Sequence, residues 1–186
     1  MKMNCAKLII NIRKTFFYCI LSISSIAILG NCYRGDSNIE TVGTSSKKDL
    51  VSVNKFLVKK NHQNIVNFVH RKGWDMKETS TGLWYMIYRH GAGKAAGSGE
   101  VVTFNYSISL LDGQFCYTSD SLGPKSFKIG NGHVESGLEE AILLLHEGDK
   151  ARLIMPPHLA YGLPGDNNKI PPQSTILYDI SVLHIK

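Results

Sequence analysis

Apolar residues recur at close to helical spacing from about residue 49 onward, after a polar stretch with no apolar period. The residues that carry this pattern are Leu50, Val53, Leu57, Ile65 and Phe68. The pattern predicts an amphipathic helix over residues 49–71, or two helices broken near Asn61. The apolar stripe of such a helix needs a partner, which is either the domain that follows or a second copy of the same helix.

The rest of the chain has the pattern of strands, in which β-branched and aromatic residues stand between turn residues. The predicted strands are residues 74–79, 83–88, 101–111, 127–129, 150–156 and 175–185. Asp112-Gly113 favours a hairpin turn after residue 111. Residues 137–145 carry a short helical pattern with charges on one side. One short helix packed against several antiparallel strands is an α+β architecture.

A glycine-rich segment, Gly91–Gly99, separates two of the predicted strands. Its GxGxxxGxG spacing is open to a second interpretation, because glycine-rich loops cradle phosphates when a lysine–threonine pair and a helix follow them. Neither follows here, since the next segment is a strand. The segment is therefore interpreted as a strand connection.

The N-terminus has the features of an export signal. Basic residues end at Lys14, and residues 15–30 form an uncharged run shorter than the about 20 residues of a membrane-spanning helix. Leu29-Gly30-Asn31-Cys32 resembles the lipobox of bacterial lipoproteins, although an asparagine stands where a small residue is usual. The resemblance implies acylation of Cys32 and removal of residues 1–31. An uncleaved membrane anchor and plain secretion are the alternatives.

The positive charge of the chain is concentrated in this predicted signal. The formal net charge is +6 for 186 residues, and loss of Lys2, Lys7, Arg13 and Lys14 with the signal leaves about +2. No nucleic-acid partner is expected from so small a charge. The predicted organisation is a lipoprotein signal peptide over 1–31, a flexible tether over 32–48, a helix and strand extension over 49–98, and a folded domain over 99–186.

No pattern of metal-binding or nucleophilic residues is present in the sequence. The histidines show neither HxxxH nor HExxH spacing and have no cysteine partners, so neither a metal site nor a cofactor is predicted. Cys116 lacks an evident histidine or asparagine partner, which favours a packed thiol over a nucleophile. It is the one cysteine beyond residue 32, so the mature chain has no internal disulfide. Asp166-Asn167-Asn168 is interpreted as a turn, because no glutamate follows at the spacing of a calcium loop.

Short motifs in the last half of the chain resemble those of the FKBP-type peptidyl-prolyl isomerases, in the same order and at similar separations. The motifs are Val134-Glu-Ser-Gly-Leu-Glu-Glu-Ala141, Glu147-Gly-Asp-Lys-Ala-Arg152, Pro156-Pro-His-Leu-Ala-Tyr-Gly162 and Ile170-Pro-Pro-Gln-Ser-Thr-Ile-Leu-Tyr-Asp179, after Tyr106 and Asp112-Gly113. The resemblance covers residues 99–186 and implies a twisted antiparallel sheet wrapped around one short helix. Residues 50–90 resemble the N-terminal extension of FKBP-type lipoproteins, some of which are associated with gliding motility.

The resemblance implies a cleft made of aromatic and aliphatic side chains, although each of these could instead be a simple core residue. The residues expected to carry catalysis are Tyr106, Tyr161 and Tyr178. Those expected to bind substrate are Cys116, Tyr117, Phe127, Val134, Glu135, Leu138 and Ile170. The Tyr161 hydroxyl is expected to donate to the ligand, and the backbone N–H of Glu135 is expected to meet the carbonyl group before the proline.

This chain departs from the family pattern at several of these positions. Tyr117 replaces an aspartate that contacts ligand, Cys116 replaces a phenylalanine, and Lys125 replaces an aromatic residue. Glu135 stands in place of an isoleucine, and Leu138 in place of a tryptophan found in many members. These departures predict weakened macrolide binding and reduced isomerase activity.

The expected function is that of a peptidyl-prolyl cis-trans isomerase, anchored in the bacterial cell envelope through lipidated Cys32 and facing the periplasm. Its expected partners are Xaa-Pro segments of exported proteins, together with a second copy of the chain through helix 49–71. The alternative is a non-catalytic binding or chaperone module of the same fold within an envelope assembly.

Overall fold

The computed structural model describes the backbone of residues 42–186 and the side chains from residue 49, so the predicted signal and Cys32 lie outside the described residues. The helices are α1 (Val42–Lys72), α2 (Ser119–Leu122) and α3 (Ser136–Ile142), with a 3-10 turn at Pro157–Leu159. The strands are β1 (Lys77–Glu78), β2 (Trp84–Arg89), β3 (Val101–Leu110), β4 (Phe115–Thr118), β5 (Lys125–Lys128), β6 (Lys150–Met155) and β7 (Ile176–Ile185).

The strands form one antiparallel sheet in the order β1-β2-β6-β7-β3-β4, with β5 also paired to β3. β4 and β5 share one edge of β3, and α2 interrupts that edge between them. At the interruption the Tyr106 amide donates to the Ser119 hydroxyl (3.1 Å), which replaces a missing strand partner. The predicted α+β fold is confirmed, whereas β4 and α2 were not predicted.

The inner face of the sheet packs on the short helix α3. On β7 the alternate residues Ile176, Tyr178 and Ile180 are buried in the same core as Leu138 of the helix. The contact is close, because a Cβ atom on Gly137 would lie 2.7 Å from the Sδ atom of Met155 and 3.0 Å from Leu159. Only a residue without a side chain fits this helix position without displacing the 155–159 segment.

The outer face of the sheet packs on the last turns of α1. Ile65, Phe68 and Val69 of the helix are buried against Ile154 of β6, and Leu177 packs on the same cluster. The helix is unbroken and begins at Val42, so the last residues of the segment predicted as a tether are helical. β2, from the segment predicted as an extension, pairs with β6 and is part of the same sheet as the domain.

The first turns of α1 for which side chains are described carry apolar residues without burying them. Leu50, Val53 and Phe56 are all exposed, because this part of the helix extends beyond the sheet cluster. The self-association predicted for the helix stays a prediction. Among residues 42–186, no helix is both long enough and apolar enough to cross a membrane.

Replacing Phe68 by alanine should destabilise the protein by about 3 kcal/mol, because it removes a buried ring and leaves a cavity. Phe68 also has an edge-to-face contact with Trp74, with ring centroids 5.6 Å apart. Phe56→Ala is the matched control, since Phe56 lies on the same helix and is 64% exposed; it should change stability by at most about 0.5 kcal/mol. Urea unfolding of the three proteins measures both values, and equal losses would contradict the docking of α1 on the sheet.

Candidate functional site

The residues predicted to form the cleft are brought together by the fold, with Val134, Glu135 and Leu138 at the N-terminal end of α3. All the apolar and aromatic members belong to one cluster, in which some are buried and others partly exposed. The buried members are Cys116, Phe127, Leu138, Ile170 and Tyr178. The partly exposed members are Tyr106, Tyr117, Val134 and Tyr161. The second group therefore offers surface to a ligand, and the first group supports it from behind.

Aromatic rings from β3, β5 and β7 form the wall of this cluster. Phe104 and Tyr106 point to the same face because strand side chains alternate. The ring centroids of Tyr106 and Tyr178 lie 6.1 Å apart, and those of Phe104 and Tyr106 are also 6.1 Å apart. Phe127 meets Phe104 edge to face at 6.0 Å. Such tilted and edge-to-face contacts are the favoured arrangements of aromatic rings.

The segment that enters α3 is fixed by a carboxylate of the helix itself. Glu139 accepts hydrogen bonds from the amides of Gly130 (2.6 Å) and Gly132 (3.0 Å). Glu135 precedes the first residue of the helix in an extended conformation, with φ −57° and ψ 137°. Among the backbone hydrogen bonds of the described residues, none has the Glu135 amide as donor. This N–H group is therefore available to a ligand carbonyl, as the resemblance implies.

The side chain of Glu135 also belongs to the site, although sequence reasoning gave weight only to its backbone. Its side chain is 7% exposed, and one carboxylate oxygen accepts from the Tyr178 hydroxyl at 3.4 Å. The other oxygen lies 3.4 Å from the Lys125 ammonium group. Burial raises the pKa of the Tyr161 hydroxyl well above its usual value, and a hydrogen bond to Glu135 adds to this rise. Tyr161 is thus held as a neutral phenol beside the Glu135 carboxylate.

Burial likewise raises the pKa of the Tyr178 hydroxyl, with the charge of Glu135 as the next cause. Tyr178 has no exposed surface and its hydroxyl already has Glu135 as acceptor. Of the three tyrosines predicted to be catalytic, Tyr106 and Tyr161 are therefore the ones that can touch a substrate. Tyr178 is buried behind the cleft and contacts the Glu135 carboxylate through its hydroxyl.

Tyr117 is tied to a residue that sequence reasoning did not assign to the site. Its hydroxyl donates to Asp166, and the same carboxylate accepts from the amides of Asn168 (2.9 Å) and Ile170 (2.8 Å). The Lys169 ammonium group lies over the Tyr117 ring, 5.3 Å from its centroid. The end of β4 is thereby joined to the loop that carries Tyr161. Asp166 lies in a turn, as predicted. The turn motif did not predict its contact with Tyr117, because the two residues are 49 positions apart in sequence.

Comparison with known proteins agrees with this geometry. The model of the family described as FKBP-type peptidyl-prolyl cis-trans isomerase matches residues 93–183. A relative named FKBP-type peptidyl-prolyl cis-trans isomerase FkpA, from Buchnera aphidicola, is 32% identical over 168 residues, which cover 86% of this chain and 68% of the relative. The chain belongs to the family of FKBP-type peptidyl-prolyl cis-trans isomerases.

Two further similarities support the assignment to this family. The Escherichia coli protein of the same name is 37% identical over 120 residues, which are 64% of this chain and 43% of that protein. The chain thus matches less than half the length of that relative. The crystal structure of AtFKBP13 superposes with a TM-score of 0.58 at 30% identity, covering 61% of this chain and 100% of that one.

The chemistry that this FKBP-type site can perform requires no proton transfer. Rotation about an Xaa-Pro bond crosses a barrier of about 20 kcal/mol, because amide resonance is lost at the twisted geometry. An apolar aromatic wall favours the twisted amide, whose carbonyl is less polar, and a backbone N–H fixes its orientation. Within residues 42–186, no group of three histidine, cysteine, aspartate or glutamate side chains is placed to hold a metal ion.

Removing the Tyr117 hydroxyl should make the free energy of unfolding depend less steeply on pH at acid pH. Burial alone would raise the pKa of Asp166, but hydrogen bonds from Tyr117 and from the Ile170 and Asn168 amides outweigh it and leave the pKa below its usual value. A depressed carboxyl pKa contributes stability that is present above about pH 4 and lost as the pH falls through the folded-state value. In Tyr117→Phe this contribution should shrink.

The measurement is urea unfolding of wild type and Tyr117→Phe at a series of pH values from about 5 to 2. Tyr85→Phe is the control, since Tyr85 packs on the same core from β2 and makes no contact with Asp166. Parallel profiles for wild type and Tyr117→Phe would show that the Tyr117 hydroxyl does not hold the Asp166 pKa down.

Proposed function

We propose that this protein is a peptidyl-prolyl cis-trans isomerase that assists the folding of exported proteins by acting on their Xaa-Pro segments. The observation that carries the proposal is a Glu135 amide without a backbone acceptor at the start of α3, together with the partly exposed rings of Tyr106 and Tyr161 in the cluster that packs on this helix. A proline ring can pack on these aromatic surfaces while the preceding carbonyl group accepts from the amide. The family to which the chain belongs is named for this activity.

The turnover is proposed to be lower than that of an efficient family member. The Tyr161 hydroxyl, which the resemblance assigns to ligand binding, already interacts with the Glu135 carboxylate. A substrate carbonyl must therefore compete with a charged acceptor for this donor, and hydrogen bonds to charged acceptors are the stronger ones. In addition, Tyr117 presents a phenol where other members present a carboxylate.

A second candidate function is a non-catalytic module that binds Xaa-Pro segments without isomerising them. Lys125 favours this candidate, because its ammonium group pairs with Glu135 at a position where the resemblance implies an aromatic wall. A charged and partly hydrated group at this place weakens the apolar environment that favours the twisted amide. The two candidates differ in turnover and agree in binding.

A protease-free assay of proline isomerisation separates the two candidates. The wild-type protein should accelerate the isomerisation of a Leu-Pro peptide, and Tyr161→Phe should lower kcat/KM about fivefold to tenfold, as expected for the loss of one hydrogen bond. Tyr88→Phe is the matched control, because Tyr88 donates to Asp179 at 2.7 Å and makes no contact with the cleft. Binding of the peptide without acceleration in any of these proteins would support the non-catalytic module.

We further propose that the protein is a lipoprotein of the bacterial cell envelope, anchored through Cys32 and facing the periplasm, of the kind found among gliding-motility-associated FKBP-type lipoproteins. The support is the uncharged run before Leu29-Gly30-Asn31-Cys32 and the bacterial origin of the FkpA relatives. The helix that begins at Val42 would leave a short segment between the lipid and the folded part. Several acyl chains on one cysteine would give stable anchoring, since each buried methylene group adds about 0.8 kcal/mol.

Metabolic labelling with a fatty-acid analogue should mark the wild-type protein in bacterial cells and should fail to mark Cys32→Ala. Cys19→Ala is the control, because Cys19 lies within the uncharged run of the predicted signal and should not affect labelling. The measurement is the label on the purified protein at equal expression. Label retained in Cys32→Ala would show that Cys32 is not the anchor.

A further inference from the structure

Two opposite charges stand side by side in the cleft, and isomerisation requires neither of them. The Glu135 carboxylate and the Lys125 ammonium group are 3.4 Å apart, with side chains 7% and 32% exposed respectively. A buried charge is costly unless it has partners, so a structural role alone is better served by an apolar pair. The pair therefore calls for an explanation in terms of what enters the cleft.

We propose that the Glu135–Lys125 pair makes the cleft selective for the charge of the residue before the proline, favouring lysine or arginine and disfavouring glutamate or aspartate. This inference rests on the proposed binding of Xaa-Pro segments. It adds a substrate class to that function, namely proline bonds preceded by a cationic residue.

The two charges of the pair differ in how firmly they are held. The Glu135 carboxylate is nearly buried, and it accepts from the Tyr178 hydroxyl at 3.4 Å, so its position is set by the packing around it. The Lys125 side chain is four methylene groups long, partly exposed, and able to place its ammonium group in solvent. A charged group that enters the cleft therefore meets a fixed negative charge and a movable positive one.

A second carboxylate adds to the negative field. Asp166 is fixed by the Asn168 and Ile170 amides at 2.9 and 2.8 Å, and its charge, like that of Glu135, acts on the Tyr161 hydroxyl. Its cationic neighbour, Lys169, is exposed, with its ammonium group 5.3 Å from the centroid of the Tyr117 ring. Both carboxylates therefore act on the same tyrosine, which lies in the predicted cleft. When the Lys125 ammonium group moves into solvent, the charge that remains beside Tyr161 is negative.

A bound substrate would bring the side chain of the residue before the proline close to the Glu135–Lys125 pair. If the carbonyl before the proline accepts from the Glu135 amide, the residue that owns this carbonyl begins next to Glu135. A lysine or arginine there can take the place of Lys125 as the partner of the carboxylate. A glutamate there is repelled by the fixed carboxylate, and like charges brought together in this way are a common device of specificity.

The test compares kcat/KM and Kd of the full chain for peptides that differ only in the residue before proline, which is lysine, leucine or glutamate. Wild type should prefer the Lys-Pro over the Glu-Pro peptide about tenfold, which corresponds to about 1.4 kcal/mol. In Glu135→Gln, which keeps an acceptor for Tyr178, the preference should vanish or reverse because Lys125 is left alone. In Lys125→Met, which removes the charge and keeps an unbranched side chain one atom shorter, the preference should increase.

Opposite shifts of the Lys-to-Glu preference in the two variants distinguish charge selection from a structural role. A loss of packing would instead lower kcat/KM for all three peptides by the same factor. The Leu-Pro peptide serves as the neutral reference in each protein, and added salt should reduce the Lys-to-Glu ratio. If no peptide is turned over, the proposed catalysis fails, and the order of Kd values still decides the specificity. If Glu135→Gln does not fold, the increase in Lys125→Met decides it. Equal ratios in wild type and the folded variants would overturn the inference.

Discussion

The close packing of α3 against the inner face of the sheet is the constraint on which the rest of the site depends. Gly137 leaves no room for a Cβ atom beside Met155 and Leu159, so the helix axis has one depth at which it can lie. This depth places Leu138 in the core and Glu135, three residues earlier, with its carboxylate 3.4 Å from the Tyr178 hydroxyl. The carboxylate of Glu135 is nearly buried at this place, with the Lys125 ammonium group and the Tyr178 hydroxyl as its partners. The polar network of the cleft is thus a consequence of a helix that lies close to the sheet.

The sheet can hold this helix because it is packed on both faces. On β6, Leu153 belongs to the inner core and Ile154 to the outer cluster with α1. A sheet with one solvated face would show an alternation of apolar and polar residues, and here the consecutive apolar residues of β6 have two different partners. The last turns of α1 therefore stabilise the cleft from behind, without contributing a residue to it.

The sequence predicted the fold well where the pattern was local or repeated. Runs of β-branched and aromatic residues predicted β3 and β7 to within a residue, and the helical pattern over 137–145 located α3, which ends three residues earlier than predicted. It did not predict β4, since Phe115–Thr118 is short and its pairing with β3 depends on a bulge near Ile108. The positions of the cleft residues were predictable from the motifs, because each motif occupies one strand end or loop. The Tyr117–Asp166 and Glu135–Lys125 contacts were not, since they join segments whose proximity only the tertiary fold creates.

The charges in this cleft act on binding more than on the rotation itself. The side chain before the proline does not change its charge or its position much when the amide twists, so its attraction to Glu135 is nearly the same in the ground state and in the transition state. Such uniform binding alters KM and leaves kcat almost unchanged. A hydrogen bond from the Tyr161 hydroxyl to the substrate carbonyl would behave differently, because the polarity of that carbonyl falls as resonance is lost and the bond is stronger in the planar amide than at the twisted geometry. Glu135 thus has two separable effects on binding, since its charge selects the substrate while its attraction for the Tyr161 hydroxyl weakens the hydrogen bond that this hydroxyl can offer.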